Sequence, residues 1–570
     1  MTNLSKQEIF PGALSDVYKS NLEKAGRINV VRQIIAKNPV VFRKKSEADQ
    51  KLILNRLGWI DVVRRMPAEI GRMQRLADQV KKDGIRHVFV LGMGGSSLCP
   101  EVFGRIFGRQ KWLKSYMVVD TTAPSQLESI LNSVDLGKSF FIVSSKSGST
   151  VETMSQFRFF FRKVKEFRPL KVGDFFAAIT DEGSELHRIA RRNRFRDVFL
   201  NPKDIGGRYS ALSYFGLVPG AFTNADLNGL LAAAAGQLAV MEDKGDDCDA
   251  LKLGVLLGSG AKGNYDRVRF VATEGVAPFV PWIEQLLAES TGKESKGIIP
   301  IEGDLDHHAG ADNIFHVFYS MSGEKIRPGA SPASVKDSVA PYVTIETADP
   351  TALGAEMLKW EMATAVAATI LGVNPFDEPN VAESKKNTAA ILHSKRGPRK
   401  EILVTPVAAF DGVDVLAAMD VRGLERRRRL TSEELFRAFF KDVGKGEYVS
   451  ILCYTEMDPA VEKRLIKLRN VLGEKYGIVS LRGYGPRFLH STGQLFKGGS
   501  PKGHFIVIDR NYRTDYDIPT TNLSFGRLIK AQAQGDIKAL QKRRRPVIHL
   551  NLKYDPVGGL DRLIALISSL

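Results

Sequence analysis

The chain has 570 residues, of which 43% are hydrophobic and 26% are charged, and its formal net charge is +18. This composition supports several buried cores and argues against a disordered protein. The three cysteines, Cys99, Cys248 and Cys453, are too few and too scattered for a disulfide framework or a zinc knuckle. The N-terminus lacks the apolar core of a signal peptide, and no uncharged stretch reaches the roughly 20 apolar residues that span a bilayer. We therefore expect a cytoplasmic protein with no membrane partner.

The first segment of the chain carries apolar side chains at helical spacing, which predicts a helical N-terminal arm over residues 1–84. From residue 85, short β-branched and aromatic runs alternate with amphipathic segments. The predicted strands of this series are RHVFVLGM, SYMVVD, SFFIVSS and FFAAIT. Such alternation is typical of parallel sheets with helices on both faces. We predict one domain of this kind over residues 85–245.

Two further segments show the same alternation. RVRFVAT, NIFHVFYS and APYVTIET precede the long helical pattern TALGAEMLKWEMATAVAATIL, and together they predict a second domain over residues 246–398. The strand patterns EYVSILCY, GHFIVIDR and PVIHLNL predict a C-terminal extension over residues 399–570. The predicted fold class is therefore α/β, with parallel sheets flanked by helices, a helical N-terminal arm and an α/β extension.

Two strand-to-helix loops are rich in glycine or in hydroxyl side chains. One reads LGMGGSSLCPEVF, and the other reads VSSKSGSTVET. Hydroxyl groups beside the amides of a helix N-terminus suit a phosphate, and the absence of P-loop spacing argues against a nucleoside triphosphate. The alternative is a dinucleotide fingerprint with Asp120 as its acidic residue, but Ser97 stands in place of the third glycine. These loops therefore favour a small monophosphate as the ligand.

The positive charge includes two basic runs, Arg426–Arg429 and Lys542–Arg545. Such runs can bind nucleic acid, form solvated helix faces or attract an anionic metabolite. No helix-turn-helix, RNP-type aromatic pattern or Cys/His finger accompanies them. We therefore expect no nucleic-acid partner.

Five motifs, in this order, resemble the glucose-6-phosphate isomerase family, which is built from two sugar-isomerase (SIS) domains. GMGGSSLCPE, SSKSGSTVET and IGGRYSALSYFGLVPG resemble successive family signatures. LLAESTGKESKG resembles the segment with the catalytic glutamate, and GVNPFDEPNVAESK resembles the segment with the lysine. The resemblance covers roughly residues 50–400. The C-terminal part is similar to the isomerase half of bacterial transaldolase–isomerase fusions.

The resemblance implies reversible isomerisation of glucose 6-phosphate and fructose 6-phosphate through a cis-enediolate. It also implies a homodimer that needs no metal or cofactor. The implied phosphate ligands are Ser96, Ser145, Lys146, Ser147 and Thr150. Two alternatives are an isomerase that acts on mannose 6-phosphate and a sensor that binds a sugar phosphate without converting it.

Glu289 is the implied catalytic base. Helical spacing places it on one face with Trp282 and Leu286, where partial desolvation favours basicity. The structural alternative is a salt bridge with Lys293, four residues later.

Two cations complete the implied catalytic set. Arg208 follows two glycines, and its guanidinium group is implied to stabilise the enediolate. Lys385 follows Pro379 on a predicted helix and is implied either to help open the sugar ring or to lie beside the ring oxygen. Glu378 stands where the family commonly has glutamine, which adds a negative charge to this segment.

The histidine segment that serves ring opening in much of the family is missing from this sequence. His316 lies in the predicted strand NIFHVFYS, which favours a structural role. The acidic and histidine cluster DLDHH, residues 304–308, lacks a second ligand motif and favours a surface loop over a metal site. His490 and Lys497 in the extension stay open as candidates for the ring-opening step.

Overall fold

The computed structural model describes residues 5–42, 46–303, 313–327, 330–335, 339–392, 406–421 and 430–570. The chain divides into two compact units. Among the described residues, the first unit contains residues 5–120, 134–303 and 313–377, and the second contains residues 121–133 and those from 378 onward. No helix in these ranges is both long and apolar enough to cross a membrane.

The strands of the described residues are β1 (Ser5–Phe10), β2 (His87–Leu91), β3 (Ser115–Val119), β4 (Ser139–Ser144), β5 (Phe176–Thr180), β6 (Asp197–Leu200), β7 (Arg267–Ala272), β8 (Ile299–Glu302), β9 (Ile314–Met321), β10 (Tyr342–Thr347), β11 (Ala408–Phe410), β12 (Val413–Met419), β13 (Tyr448–Tyr454), β14 (Val479–Tyr484), β15 (Gly503–Asp509) and β16 (Val547–Asn551).

The α-helices of the same residues are α1 (Ser15–Arg27), α2 (Val30–Ile35), α3 (Glu47–Leu54), α4 (Val62–Arg65), α5 (Ile70–Lys82), α6 (Leu98–Ile106), α7 (Pro124–Ser133), α8 (Val151–Phe167), α9 (Glu185–Arg192), α10 (Tyr214–Gly220), α11 (Leu227–Lys244), α12 (Asp249–Lys262), α13 (Val280–Thr291), α14 (Leu353–Leu371), α15 (Val381–Leu392), α16 (Ser432–Asp442), α17 (Pro459–Tyr476), α18 (Gly493–Gly498), α19 (Phe525–Gln541) and α20 (Pro556–Ser569).

The first sheet of the first unit places two loops at one edge. Its strand order is β3-β2-β4-β5-β6, and every pair is parallel. β2 and β4 are direct neighbours, with Leu91 opposite Val143. Because the carboxyl ends of parallel strands meet at one edge, the glycine-rich loop after β2 and the hydroxyl-rich loop after β4 lie side by side.

The second sheet has the order β1-β10-β9-β7-β8 and contains a strand that the sequence pattern does not reveal. The prediction of helices throughout residues 1–84 is wrong for β1, which pairs antiparallel with β10 from Ser5 opposite Thr347 to Phe10 opposite Tyr342. SKQEIF alternates half-buried and exposed side chains, and the rings of Phe10 and Tyr342 stack with centroids 4.9 Å apart. Since β10 supplies the pairing from far along the chain, the local sequence gives little indication of the strand.

Helix α14 lies entirely within the core of the first unit. All 19 of its residues are buried, which explains a pattern that is apolar on every side. Two of its charged side chains form an ion pair within the core: Lys359 Nζ lies 2.7 Å from Glu356 Oε1. Burial raises the pKa of Glu361 well above its usual range.

The second unit is built on a six-stranded sheet with the order β11-β12-β16-β15-β13-β14. Its last four strands in the chain, β13 to β16, run parallel to one another. Helix α7, from the connection between β3 and β4, belongs to this unit. Thr122, just before α7, donates its hydroxyl to Gln532 Oε1 at 2.7 Å, and Ser125 donates to Glu456 Oε2 at 3.0 Å. The predicted α/β class with parallel sheets flanked by helices is confirmed.

Candidate active site

The hydroxyl-rich loop folds around the side chain of Ser145. This side chain is buried, its Oγ lies 3.1 Å from Thr150 Oγ1, and it accepts the backbone N–H of Gly148 at 3.2 Å. Gly148 has φ +66°, and a Cβ there would lie 2.5 Å from the backbone nitrogen of Leu186. The loop therefore requires glycine at its tightest point.

Two other hydroxyls of this loop are more open. Ser147 is exposed, and its Oγ accepts the backbone N–H of Ser149 at 3.3 Å. Thr150 occupies the N-cap position of α8, but its side chain makes no capping bond to the helix. The loop thus presents hydroxyls and a helix N-terminus at the carboxyl edge of β4, which is a favourable setting for an anion.

Lys146 is held within its own unit by two oxygen acceptors. Its Nζ lies 2.9 Å from Asp181 Oδ2 and donates to the carbonyl of Lys203 at 3.0 Å. Burial lowers the pKa of Lys146 despite the attraction of Asp181, and burial likewise raises the pKa of Asp181. The ammonium group is therefore held at the loop, with Asp181 as its neighbour.

The glycine-rich loop after β2 packs directly on a second loop. A Cβ on Gly95 would lie 1.9 Å from the carbonyl oxygen of Gly207, so the two backbones touch where only glycine fits. Ser96 is half-buried in this loop. Ser97 Oγ donates to the carbonyl of Gly94 at 3.1 Å, which gives the residue at the position of the missing third glycine a structural role. This contact places the Ser96 loop next to Arg208.

Arg208 and Glu289 form a buried ion pair. Nη1 of Arg208 lies 3.2 Å from Oε1 of Glu289, and the two side chains are only 4% and 10% exposed. Gln285, one turn earlier on α13, donates its amide to Glu289 Oε2 at 3.1 Å. α13 places Trp282 and Leu286 in the core, as the helical spacing predicts. The sequence alternative for Glu289 involves Lys293, whose Nζ pairs with Asp377 Oδ1 at 2.8 Å.

The guanidinium group of Arg208 is fixed by several acceptors. It donates to Ser290 Oγ at 3.0 Å, to the carbonyl of Pro375 at 2.7 Å and to the carbonyl of Asp377 at 2.8 Å. Tyr209 OH lies 3.2 Å from the same Ser290 hydroxyl. A planar group with five donors can satisfy these partners together, and a lysine cannot. The result is a rigid positive charge beside a carboxylate.

Sequence reasoning missed the residues that hold this pair. Ser290 directly follows Glu289, and Asp377 lies in the NPFDEP segment of the lysine motif. Both motifs were identified, but the contact between them was not, because it joins Lys293 and Asp377, 84 positions apart, through tertiary packing. The only indication in the sequence that Ser290 and Asp377 belong to the site was their position within these motifs.

The remaining candidates from the sequence are Lys385, Lys497 and the cluster DLDHH, and the structure gives each a different environment. Lys385 lies in α15, in the second unit, on a helix as predicted. Lys497 forms a buried ion pair with Asp536 in that unit. The cluster DLDHH at residues 304–308 lies outside the described residues, and within them no group of three His, Cys, Asp or Glu side chains could hold a metal ion.

His316 lies in β9 and is buried, as its strand pattern predicts. Its ring stacks on Phe318 with centroids 5.9 Å apart. Burial, and to a smaller extent the charge of Arg269, lowers the pKa of His316 to about 4. This histidine is therefore neutral near pH 7.

Residues 58–234 match the family model described as phosphoglucose isomerase. This stretch is a phosphoglucose isomerase domain. It contains the Ser96 loop, the 145–150 loop and Arg208, which the backbone brings to one edge of the first sheet. The resemblance of the sequence motifs to the glucose-6-phosphate isomerase family is confirmed, whereas the similarity of the C-terminal part to transaldolase–isomerase fusions stays a prediction.

Relatives of the phosphoglucose isomerase domain extend the match beyond it. A glucose-6-phosphate isomerase of Rubrobacter xylanophilus is 28% identical over 369 residues, which are 55% of this chain and 84% of that protein. A probable glucose-6-phosphate isomerase of Methanococcus maripaludis is 26% identical over 383 residues, covering 57% of this chain and 84% of that protein. The crystal structure of a glucose-6-phosphate isomerase from Chlamydia trachomatis shares the fold, with a TM-score of 0.54 and 17% identity over 68% of this chain and 88% of that one.

Proposed function

We propose that this protein is an intramolecular aldose–ketose isomerase that interconverts glucose 6-phosphate and fructose 6-phosphate. The observation that carries the proposal is the buried pair of Glu289 and Arg208, 3.2 Å apart, next to the phosphoglucose isomerase loops. A base beside a fixed cation is the minimum that proton transfer through an enediolate requires.

The phosphate group binds first in this mechanism. Ser96, Ser145, Lys146, Ser147 and Thr150 hold it at the carboxyl edge of β2 and β4, so that binding energy away from the reacting carbons positions them. Hydroxyls and the helix N-terminus supply hydrogen-bond donors, and Lys146 supplies charge. Lys385 assists opening of the sugar ring.

Proton transfer follows on the open-chain sugar. The Glu289 carboxylate removes the proton from C2, and the electron pair of that bond forms the C1–C2 double bond of the cis-enediolate. Arg208 stabilises the negative charge that develops on the oxygen. Glu289 then returns the proton to C1 while the hydroxyl proton moves between O2 and O1. Oxidation and reduction occur within one molecule, so the step draws on no external electron acceptor.

The proposal includes the organisation and setting of the protein. We infer a cytoplasmic homodimer whose partner is a small sugar phosphate rather than nucleic acid. We also propose the division into an arm (1–84), two SIS domains (85–245 and 246–398) and an extension (399–570). Sedimentation of the purified protein tests the dimer, which predicts twice the chain mass of 63.0 kDa.

The experiment that tests the reaction is conversion of fructose 6-phosphate to glucose 6-phosphate, followed through a coupled dehydrogenase. Glu289→Gln keeps the shape of the side chain and removes its basicity, so we expect kcat to fall by about 10²–10⁴-fold. Glu284→Gln on the same helix is the matched control and should retain wild-type kcat.

The outcomes separate the alternatives. Mannose 6-phosphate is assayed in parallel. Faster turnover of that sugar would identify it, rather than fructose 6-phosphate, as the preferred substrate. Binding of fructose 6-phosphate without any turnover by the wild type would indicate a sensor. Full activity in Glu289→Gln would remove Glu289 from the role of base.

A further inference from the structure

Helix α15, which carries Lys385, packs closely against helix α19 of the C-terminal extension. A Cβ on Gly535 of α19 would lie 2.4 Å from Thr388 Oγ1, so glycine permits the approach of the two helices. Asn387 donates its side-chain amide to the carbonyl of Gly535 at 3.4 Å. Thr388 and Ile391 are buried on the inner face of α15. The extension therefore covers one side of the helix.

The start of α15 is fixed by a second part of the extension. Gln494 of α18 is fully buried, and its Oε1 accepts the backbone N–H of Asn380 at 2.9 Å. Its Nε2 donates to Asn380 Oδ1 at 2.8 Å. This reciprocal pair holds the residue just before α15 by both its backbone and its side chain. A buried amide that is satisfied in this way specifies one orientation.

An ion pair fixes the first turn of α15. Arg543 Nη2 lies 2.5 Å from Glu383 Oε2, and Lys542 Nζ lies 2.9 Å from Glu383 Oε1. Burial alone would raise the pKa of Glu383, but hydrogen bonds from Arg543 and Lys542 outweigh it and hold that pKa below its usual range. Part of the basic run Lys542–Arg545 thus acts within the chain. Arg545 adds a bond from its guanidinium to the carbonyl of Gly499 at 2.9 Å.

We propose that the C-terminal extension positions the Lys385 helix for the isomerase reaction, with Gln494, Gly535 and Arg543 as positioning residues. The inference rests on the proposed function, in which Lys385 assists ring opening. The Rubrobacter xylanophilus and Methanococcus maripaludis proteins match only 55% and 57% of this chain. In this proposal the extension acts on the reaction through the helix that it holds.

The test compares two arginine variants of the extension. Arg543→Gln removes the ion pair to α15. Arg464→Gln is the matched control, since Arg464 pairs with Asp561 at 3.0 Å between α17 and α20 and its side chain is 26% exposed, against 22% for Arg543. Displacement of a reacting group by about 1 Å can reduce the rate up to a hundredfold. We therefore expect Arg543→Gln to lower kcat by about tenfold, and Arg464→Gln to leave kcat unchanged.

A double-mutant cycle distinguishes positioning from general stability. Arg543→Gln and Gln494→Leu are each placed in the wild-type and in the Lys385→Met background. If the extension acts through Lys385, neither variant lowers kcat further once Lys385 is replaced. An equal further loss in both backgrounds, or unchanged kcat in both single variants, overturns the inference.

A conservative variant supplies a second criterion. Arg543→Lys retains a cation opposite Glu383 and should recover most of the wild-type kcat. If Lys385→Met is below detection, this comparison decides: absence of recovery overturns the inference. Full activity in Lys385→Met would instead contradict the role of Lys385 in the proposed function, and absence of wild-type turnover would contradict that function as a whole.

Discussion

Acidification should destabilise the first unit through His316. This histidine lies in β9, opposite Tyr342 of β10 and Arg269 of β7. Its Nδ1 is buried and has no hydrogen-bond partner among the described residues. Burial, and secondarily Arg269, lowers its pKa to about 4, whereas a histidine in an unfolded chain titrates near 6.5. The folded protein therefore resists a proton that the unfolded chain accepts.

The sign and size follow from proton linkage. Between the unfolded and the folded pKa, the unfolded chain binds more protons, so the free energy of unfolding falls as the pH falls. The loss begins near pH 6.5 and is complete below about pH 4. At pH 5 it amounts to about 2 kcal/mol relative to pH 7.

Urea unfolding at pH 7, 6 and 5 measures this loss in the wild type and in His316→Leu. All four tryptophans, at positions 59, 112, 282 and 360, lie in the first unit, so their fluorescence reports on the unit that contains His316. We expect the wild type to lose about 2 kcal/mol more than His316→Leu between pH 7 and 5. Equal losses in the two proteins would refute the reasoning. Loss of turnover in a folded His316→Leu would give His316 a catalytic role.

Three substitutions test the geometry of the site. Arg208→Lys keeps the charge but cannot reach all the acceptors of the guanidinium group, and we expect kcat/KM to fall by about a hundredfold in the coupled assay. Ser145→Ala removes the hydroxyl that holds Gly148, and inhibition by inorganic phosphate should weaken about fivefold, the equivalent of about 1 kcal/mol; unchanged inhibition would remove Ser145 from the phosphate site. Gly95→Ala forces a Cβ against Gly207 and should lower kcat/KM, whereas Gly236→Ala, with no atom within 4 Å of its Cβ position, should not.

Strands β2 to β5 and the loops after β2 and β4 could be predicted from sequence because buried parallel strands are continuous apolar runs. FFIV of β4 and the hydroxyls that follow it show both the strand and its edge. The helix of Glu289 could be predicted for a similar reason, since its apolar spacing is local.

What sequence could not supply are contacts between distant segments. Arg208 lies 81 residues before Glu289, and the residues that anchor the pair lie further still along the chain. β1 could not be predicted because its pairing partner, β10, lies far along the chain. Lys542 and Arg543 were visible in the sequence as part of a basic run, but their ion pairs with Glu383 were not. Local sequence patterns predict helices and strands, whereas contacts between distant helices, strands and loops depend on tertiary packing.

The membership of α7 in the second unit has a consequence for biosynthesis. The ribosome completes α7 long before it produces Glu456 and Gln532, the residues that accept hydrogen bonds from Ser125 and Thr122. The nascent chain must therefore keep this helix available while β4 to β10 are made. Domains whose residues are contiguous can fold in order as they emerge, but the second unit begins with a segment that waits for the end of translation.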